Sequence, residues 1–337
     1  MAKVLITGGA GFIGSHYARL ALKEHDDREV TVLDKLTYAG NLDNLKDIES
    51  HSRYSFVKGD ICDKELLDGL LSQGFDILVN FAAESHVDRS IQDATPFVKT
   101  NVEGTQVLLD AARQYEVALF LQVSTDEVYG SLESESGSFT EESPFLPNNP
   151  YSATKAAAEC LCRAYHQTFG MPVIVTRCAN NFGPAQFPEK LIPTVITNAL
   201  EDTKIPIFGS GQSIRDWVFV EDHCRGIDLA IQSGRPGQVY NINGSSEKPN
   251  LELAQLILSM MDKPQSLIEF VGGRPGDDRK YAIDASKIRE ELGWKSATTF
   301  EEGLRKTIDW YADNGRWWQP IKRRKEFAEY YRDIRSR

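Results

Sequence analysis

Several features are scarce in this 337-residue chain, and each scarcity excludes something. Cysteine occurs five times, at Cys62, Cys160, Cys162, Cys178 and Cys224. The count is odd and the spacing matches no disulfide framework, so a stapled extracellular fold is not expected and a reducing, cytoplasmic setting is. Cys160-x-Cys162 falls on an expected helix with no further ligands near it, and the six histidines are scattered, so no metal site is expected. No apolar run approaches the roughly 20 residues of a membrane span, and Met1 to Thr7 leads straight into a strand, so neither a membrane segment nor a leader is expected. A formal net charge of −11 leaves most of the chain without the basic stripe that nucleic-acid binding needs. Anionic ligands must then be held by local groups. Positive charge concentrates only in the tail 316–337, at Lys322-Arg323-Arg324-Lys325, interleaved with Trp317, Trp318, Phe327, Tyr330 and Tyr331. This reads as a charged helix with one packed aromatic face.

Strand and helix patterns alternate from the start. Apolar strands are expected at 3–7, 29–34, 54–58, 77–81, 118–124 and 173–177, with helices at 14–23, 64–72, 102–115 and 152–169 between them. Repeated strand–helix–strand order with apolar strands predicts a doubly wound parallel sheet covered on both faces. After Arg177 the rhythm weakens. Asn180–Phe187 reads as a loop, followed by helices at 189–200, 222–232, 251–261 and 301–314 and short strands at 205–208, 217–220 and 239–242. The length suits two lobes. The expected division is a Rossmann-type α/β domain over 1–180, with segments near 215–245 returning to it, a smaller C-terminal substrate-binding lobe over 181–315, and the tail helix over 316–337.

The first strand runs into Thr7-Gly8-Gly9-Ala10-Gly11-Phe12-Ile13-Gly14. Gly8 permits the tight turn, Gly11 lets the backbone approach a pyrophosphate, and Gly14 lets helix and strand pack closely. The helix start, with Phe12 and Ile13, adds amide donors and positive potential. Asp34, twenty residues on at the end of the second strand, is placed to accept both ribose hydroxyls and to repel a 2′-phosphate, which favours NAD over NADP. Lys35 beside it weakens that preference. Asp60, followed by Ile61, is a candidate for the adenine, and Ala82 and Ala83 are small enough to let a cofactor lie across the sheet edge.

The densest chemistry is Thr125-Asp126-Glu127, followed by Tyr151-x-x-x-Lys155. A Tyr and a Lys four apart share one helix face. An unperturbed phenol, with pKa about 10, is a poor base near neutrality, and a neighbouring ammonium together with a positive nicotinamide would favour phenolate. The Asp–Glu pair adds a second acid and a second base. Standing alone it would read as a solvated acidic turn, but a simple dehydrogenase needs one proton acceptor and this row is equipped for two transfers.

The glycine turn and Tyr151-x-x-x-Lys155 together resemble the extended short-chain dehydrogenase/reductase family. Leu33–Asn41, Ala82–Ser90, Ser124–Gly130, Asn180–Pro184, Phe187–Pro193 and Arg215-Asp216-Trp217 narrow the resemblance to nucleotide-sugar dehydratases of the dTDP-glucose 4,6 type. That resemblance implies an NAD-dependent hydro-lyase. Tyr151 and Thr125 would act at the sugar C4 hydroxyl, Lys155 would bind the nicotinamide ribose, Glu127 would remove the C5 proton, and Asp126 would protonate the departing 6-hydroxyl. It also implies that Ser85, Asn180, Asn181, Lys190, Arg215, Asn250 and Arg274 line the nucleotide-sugar site, with Arg215 clamping the diphosphate. A homodimer is implied, formed through the helices 102–115 and 152–169. Arg274-Pro275-Gly276-Asp277-Asp278-Arg279 has Asp277 where the family carries His, which leaves UDP-glucose open beside dTDP-glucose. A nucleotide-sugar 4-epimerase or decarboxylase, and a catalytically inactive dinucleotide-binding regulator, are the alternatives.

Overall fold

The computed structural model describes residues 1–133, 137–273, 276, 278–325, 327 and 329. Its strands are β1 Ala2–Thr7, β2 Arg28–Asp34, β3 Tyr54–Lys58, β4 Ile77–Asn80, β5 Leu119–Thr125, β6 Val173–Cys178, β7 Asn180–Phe182, β8 Ile205–Phe208, β9 Ile214–Phe219, β10 Val239–Ile242, β11 Glu247–Pro249 and β12 Ile268–Val271. Seven of them form one parallel sheet in the order β10-β6-β5-β4-β1-β2-β3. From β1 the chain winds outward one way through β2 and β3, then returns to the other side through β4, β5 and β6. The order therefore reverses between β1 and β4, and a crevice opens at their carboxyl ends. A buried polar ladder crosses the sheet there: Thr7 Oγ1 donates to Asn80 Oδ1 (2.6 Å), and Asn80 Nδ2 donates to Gln122 Oε1 (2.8 Å).

The helices are α1 Phe12–Glu24, α2 Lys64–Leu71, α3 Val87–Gln92, α4 Thr95–Phe97, α5 Gly104–Gln114, α6 Pro150–Phe169, α7 Leu191–Leu200, α8 Val220–Ser233, α9 Asn250–Met260, α10 Ser286–Leu292, α11 Phe300–Asp313 and α12 Gly315–Lys322. One face of the sheet buries Val4, Ile6, Val30 and Val32 under Tyr17, Ala18 and Ala21 of α1 and Ile227 and Ala230 of α8. The other buries Leu5, Leu33, Leu78 and Phe120 under Leu67 and Leu71 of α2, Leu108 and Leu109 of α5 and Cys162 of α6. Burial on both faces explains why these strands carry apolar residues at successive positions. A separate core, with Phe182, Ile192, Val195, Trp217, Phe219, Leu253, Ile257, Leu304 and Trp318, fills the lobe built from α7, α9, α11 and α12. Two small sheets, β11-β9-β7 and β12-β8, edge that lobe.

The observed elements depart from the expected ones where local chemistry intervenes. The segment 180–187, expected as loop, contains β7. The strand expected at 217–220 runs Ile214–Phe219, and Val220 already begins α8. The helix expected from 102 is preceded by a π turn at Val98–Glu103. That widened turn aims Asn101 inward, where it bonds the backbone of Glu84 on both sides (2.9 and 3.0 Å) and donates to Thr154 Oγ1 on α6 (2.9 Å). In the tail, α12 turns Trp318 and Ile321 inward, as the aromatic-face reading expects. Tyr330 and Tyr331 lie outside the described residues.

Candidate active site

The dinucleotide end of the crevice is shaped by absent side chains. Gly8 has φ +67°, and a Cβ there would sit 2.6 Å from the Ala82 nitrogen; one on Gly14 would sit 2.5 Å from the Gly8 carbonyl oxygen. The turn thus packs against β4's carboxyl end and against its own helix only without side chains. Asp34 faces the turn. Its Oδ2 accepts from the Ala10 N–H (2.9 Å) and its Oδ1 from the Leu36 N–H (2.7 Å). Burial raises its pKa, while those two donors oppose the shift. Each oxygen keeps a second lone pair for a ribose hydroxyl. Lys35 does not compete for this position: its ammonium pairs with Asp60 Oδ2 at 2.7 Å. A cleft of about 300 Å³ follows, lined by Gly8, Gly11, Phe12, Ile13, Gly14, Asp34, Lys35, Asp60, Ile61, Ala82, Ala83 and Ser85 and, further along, by Thr125, Asp126, Glu127, Tyr151 and Lys155. All of the sequence-predicted cofactor residues meet in this one cleft. Its glycine cradle, strand-end carboxylate and alanine floor fit an extended dinucleotide.

Tyr151 and Lys155 owe their positions to the start of α6. Asn149 caps that helix reciprocally with Ser152 (2.9 and 3.3 Å), and Pro150 pre-sets the first turn. Lys155 Nζ donates to the Val123 carbonyl (2.7 Å). In the protein alone the phenol is not activated in the way the lysine's proximity suggests. Burial first, then the Glu127 charge, push the Tyr151 pKa well up, with a Thr125 hydrogen bond opposing. Burial lowers that of Lys155. Activation of Tyr151 therefore calls for an additional positive charge in the cleft.

The acidic pair is not a solvated turn. Asp126 is 2% exposed, and Thr125 Oγ1 donates to its Oδ1 (3.3 Å). Burial is the largest cause of its strongly raised pKa; Glu127 comes second and Asp216 third, against Arg215. Glu127 is reached by Asn149 Nδ2 at 3.5 Å. A buried acid with a raised pKa next to a second carboxyl group is suited to act as a donor–acceptor pair.

A second cavity of about 180 Å³ meets the first, the two sharing Glu127, Asn180, Asn181, Gln186, Glu189 and Lys190. Arg215 and Asn250 line it, as expected. Lys190 Nζ donates to the Ser85 carbonyl (2.9 Å), so two further predicted residues meet. Arg274 and Asp277 lie outside the described residues. His86, Trp217 and Tyr281 also line this cavity and were not singled out as site residues. Arg215 stacks 4.3 Å from the Tyr281 ring centre, and the Tyr281 hydroxyl donates to Asp278. Asp126 Oδ2, Asn180 Oδ1, Gln186 Oε1, Trp217 Nε1 and Asn250 Oδ1 are buried along the two cavities with no hydrogen-bond partner among the described residues. Such concentration of unmet polar atoms suits a polar ligand.

Comparison with known proteins bears on this arrangement. The GDP-mannose 4,6 dehydratase family model matches residues 5–307. A dTDP-glucose 4,6-dehydratase of Actinoplanes is 50% identical over 321 residues, covering 94% of this chain and 99% of that protein. Among solved structures, the dTDP-glucose 4,6-dehydratase DesIV of Streptomyces venezuelae, with NAD and dTDP bound, superposes with a TM-score of 0.93 at 48% identity, covering 95% of this chain and all of that one. The Bacillus anthracis dTDP-glucose 4,6-dehydratase in complex with NAD gives a TM-score of 0.90 at 47% identity, covering 96% of this chain and all of that one. Similarity of this depth, running through both lobes and the cleft between them, means that the chain belongs to the dTDP-glucose 4,6-dehydratases within the extended short-chain dehydrogenase/reductase family.

Proposed function

We propose that this protein dehydrates dTDP-glucose to the 4-keto-6-deoxy sugar, with NAD as a cofactor regenerated in each turnover. The observation that carries this reading is the pair Asp126–Glu127: a buried acid whose pKa burial and the adjacent Glu127 push well up, where the two cavities meet and next to Tyr151. An epimerase has no use for that pair. The chemistry NAD supplies when bound is reversible hydride transfer, out from C4 and back to C6. Tyr151, hydrogen-bonded to Thr125, takes the proton of the 4-hydroxyl, and Lys155 holds the nicotinamide ribose. The resulting ketone acidifies C5, Glu127 takes that proton, Asp126 gives its own to the leaving 6-hydroxyl, and as the hydride comes back to C6 Glu127 returns a solvent-exchanged proton to C5. Arg215, Asn180, Asn181, Asn250, Lys190 and Ser85 line the half that receives the nucleotide-sugar, and Asp34 and the glycine turn hold the adenosine end.

Residues 1–180 with the returning segment form the dinucleotide lobe in this reading, and 181–315 the sugar lobe. The protein acts as a homodimer through α5 and α6. Phe169, at the end of α6, and Val98, in the turn that leads into α5, are both more than half exposed, which supports the pairing. Free cysteines throughout fit a reducing compartment such as the cytoplasm. Among the described residues no helix is long and apolar enough to cross a membrane.

Incubation with dTDP-glucose in deuterated water tests the reaction. The expected product has lost one water and carries deuterium at C5, without net consumption of NAD. An unchanged mass indicates epimerisation; that result, or turnover of UDP-glucose alone, overturns the proposal.

A further inference from the structure

The family model stops at residue 307, yet the chain beyond it reaches back to the dinucleotide cleft. Trp317 of α12 lines that cleft. Its indole Nε1 donates to Asn44 Oδ1 (2.9 Å), and Asn44, almost fully buried, donates from Nδ2 to the Ala10 carbonyl inside the glycine turn (2.9 Å). Ala10 in turn donates its N–H to Asp34 (2.9 Å). A continuous line of hydrogen bonds thus joins the tail helix to the strand-end carboxylate. Two further contacts follow. Arg324 Nη1 donates to the Tyr38 carbonyl (2.9 Å). Phe327 is buried, with its ring 6.3 Å from that of Phe187, which meets Tyr38 edge-to-face at 5.4 Å. Tyr38 and Phe187 both line the cleft.

The loop that receives these contacts needs support. Leu36 has φ +57°, a strained value for a branched side chain, next to Asp34. Tyr38 is gripped at its other end by Glu189, which accepts from its hydroxyl (3.1 Å), and by the Arg89 guanidinium 3.9 Å from its ring centre. The tail helix itself is anchored in the other lobe: Trp318 and Ile321 are buried, and Lys322 pairs with Asn198 (2.7 Å).

We propose that Gly315 to Phe327 is a strap that braces the adenosine-side wall of the cleft and sets how slowly the dinucleotide leaves, with Trp317, Arg324 and Phe327 as positioning residues. A cofactor that must survive two hydride transfers per turnover gains from slow release, and the strap supplies it from outside the glycine turn. The inference rests on NAD being the cofactor.

The test uses the full-length chain loaded with labelled NAD, chased with excess unlabelled NAD. Arg324→Ala, Phe327→Ala and Trp317→Phe should each release label faster, and the Arg324→Ala/Phe327→Ala pair about tenfold faster, the scale set by one lost hydrogen bond and one lost aromatic contact. Arg324→Lys should restore most of the retention. After gel filtration without NAD the double variant should lose activity and regain it when NAD is added, with KM for NAD raised and KM for dTDP-glucose unchanged. Arg324 is exposed, so Arg324→Ala tests the idea even if a core substitution impairs folding. Release rates equal to wild type within twofold overturn the strap alone. Wild-type protein that binds no NAD overturns the cofactor reading as well.

Discussion

Asp126 illustrates what a single side chain gains from its surroundings. Burial pushes the Asp126 carboxyl towards its neutral form, and Asp126→Asn puts a neutral group of similar shape in its place. The variant should fold with a nearly unchanged melting temperature while kcat falls roughly 10²–10⁴-fold, the usual worth of a positioned general acid. Rapid quench should find C4 oxidation intact and water loss blocked. His223 offers a second prediction. It is fully buried, its Nδ1–H donates to Asn181 Oδ1 (2.9 Å), and burial depresses its pKa to about 3. The unfolded chain takes up a proton near 6.5 that the folded protein refuses until about 3, so stability falls as pH drops through that window. His223→Gln should flatten the acid limb of a urea-denaturation pH series. Asp216 acts oppositely: its pKa, raised by burial to about 6, makes its contribution decline as pH climbs from about 4 to 6. Asp126, Glu127, Tyr151 and Lys155 were legible in the sequence because they are adjacent or one helical turn apart. His86 and Tyr281 were not, since only the fold brings them to the same cavity, nor was Asp216, whose charge only the fold sets near Asp126.

At the scale of elements, α6 was readable from Pro150, its periodic apolar face and the glycine after it. The residue that matters most at its start carries no catalytic chemistry. Asn149 both caps the helix and reaches Glu127, so Asn149→Ala should cost about 1 kcal/mol in chemical denaturation. It should also slow turnover, because Tyr151 moves with the first turn. Short helices such as α3 and α10, of six and seven residues, escaped the sequence reading because so few residues display no period. The π turn before α5 escaped for another reason. Its cause is a hydrogen-bond demand at Glu84 and Thr154, segments remote from Asn101 in the chain.

The whole molecule should be a dimer, and light scattering at micromolar concentration should return twice the chain mass. Charged substitutions on the outer face of α6, for example Cys160→Glu, should shift it to the monomer. Alternation of strands and helices made the parallel sheet legible throughout its first six strands. Its seventh strand and the helix that covers one face come from residues 220–242, beyond the chain's first excursion into the other lobe. During synthesis, then, the ribosome delivers the glycine turn and the catalytic row long before it delivers α8 and β10. Until it does, Val4, Ile6, Val30 and Val32 stand without half of their cover, and β6 is an open edge. A nascent chain halted near residue 180 is an aggregation hazard with every catalytic residue in place, and the large sheet should not fold stably without the stretch 220–242 that completes it.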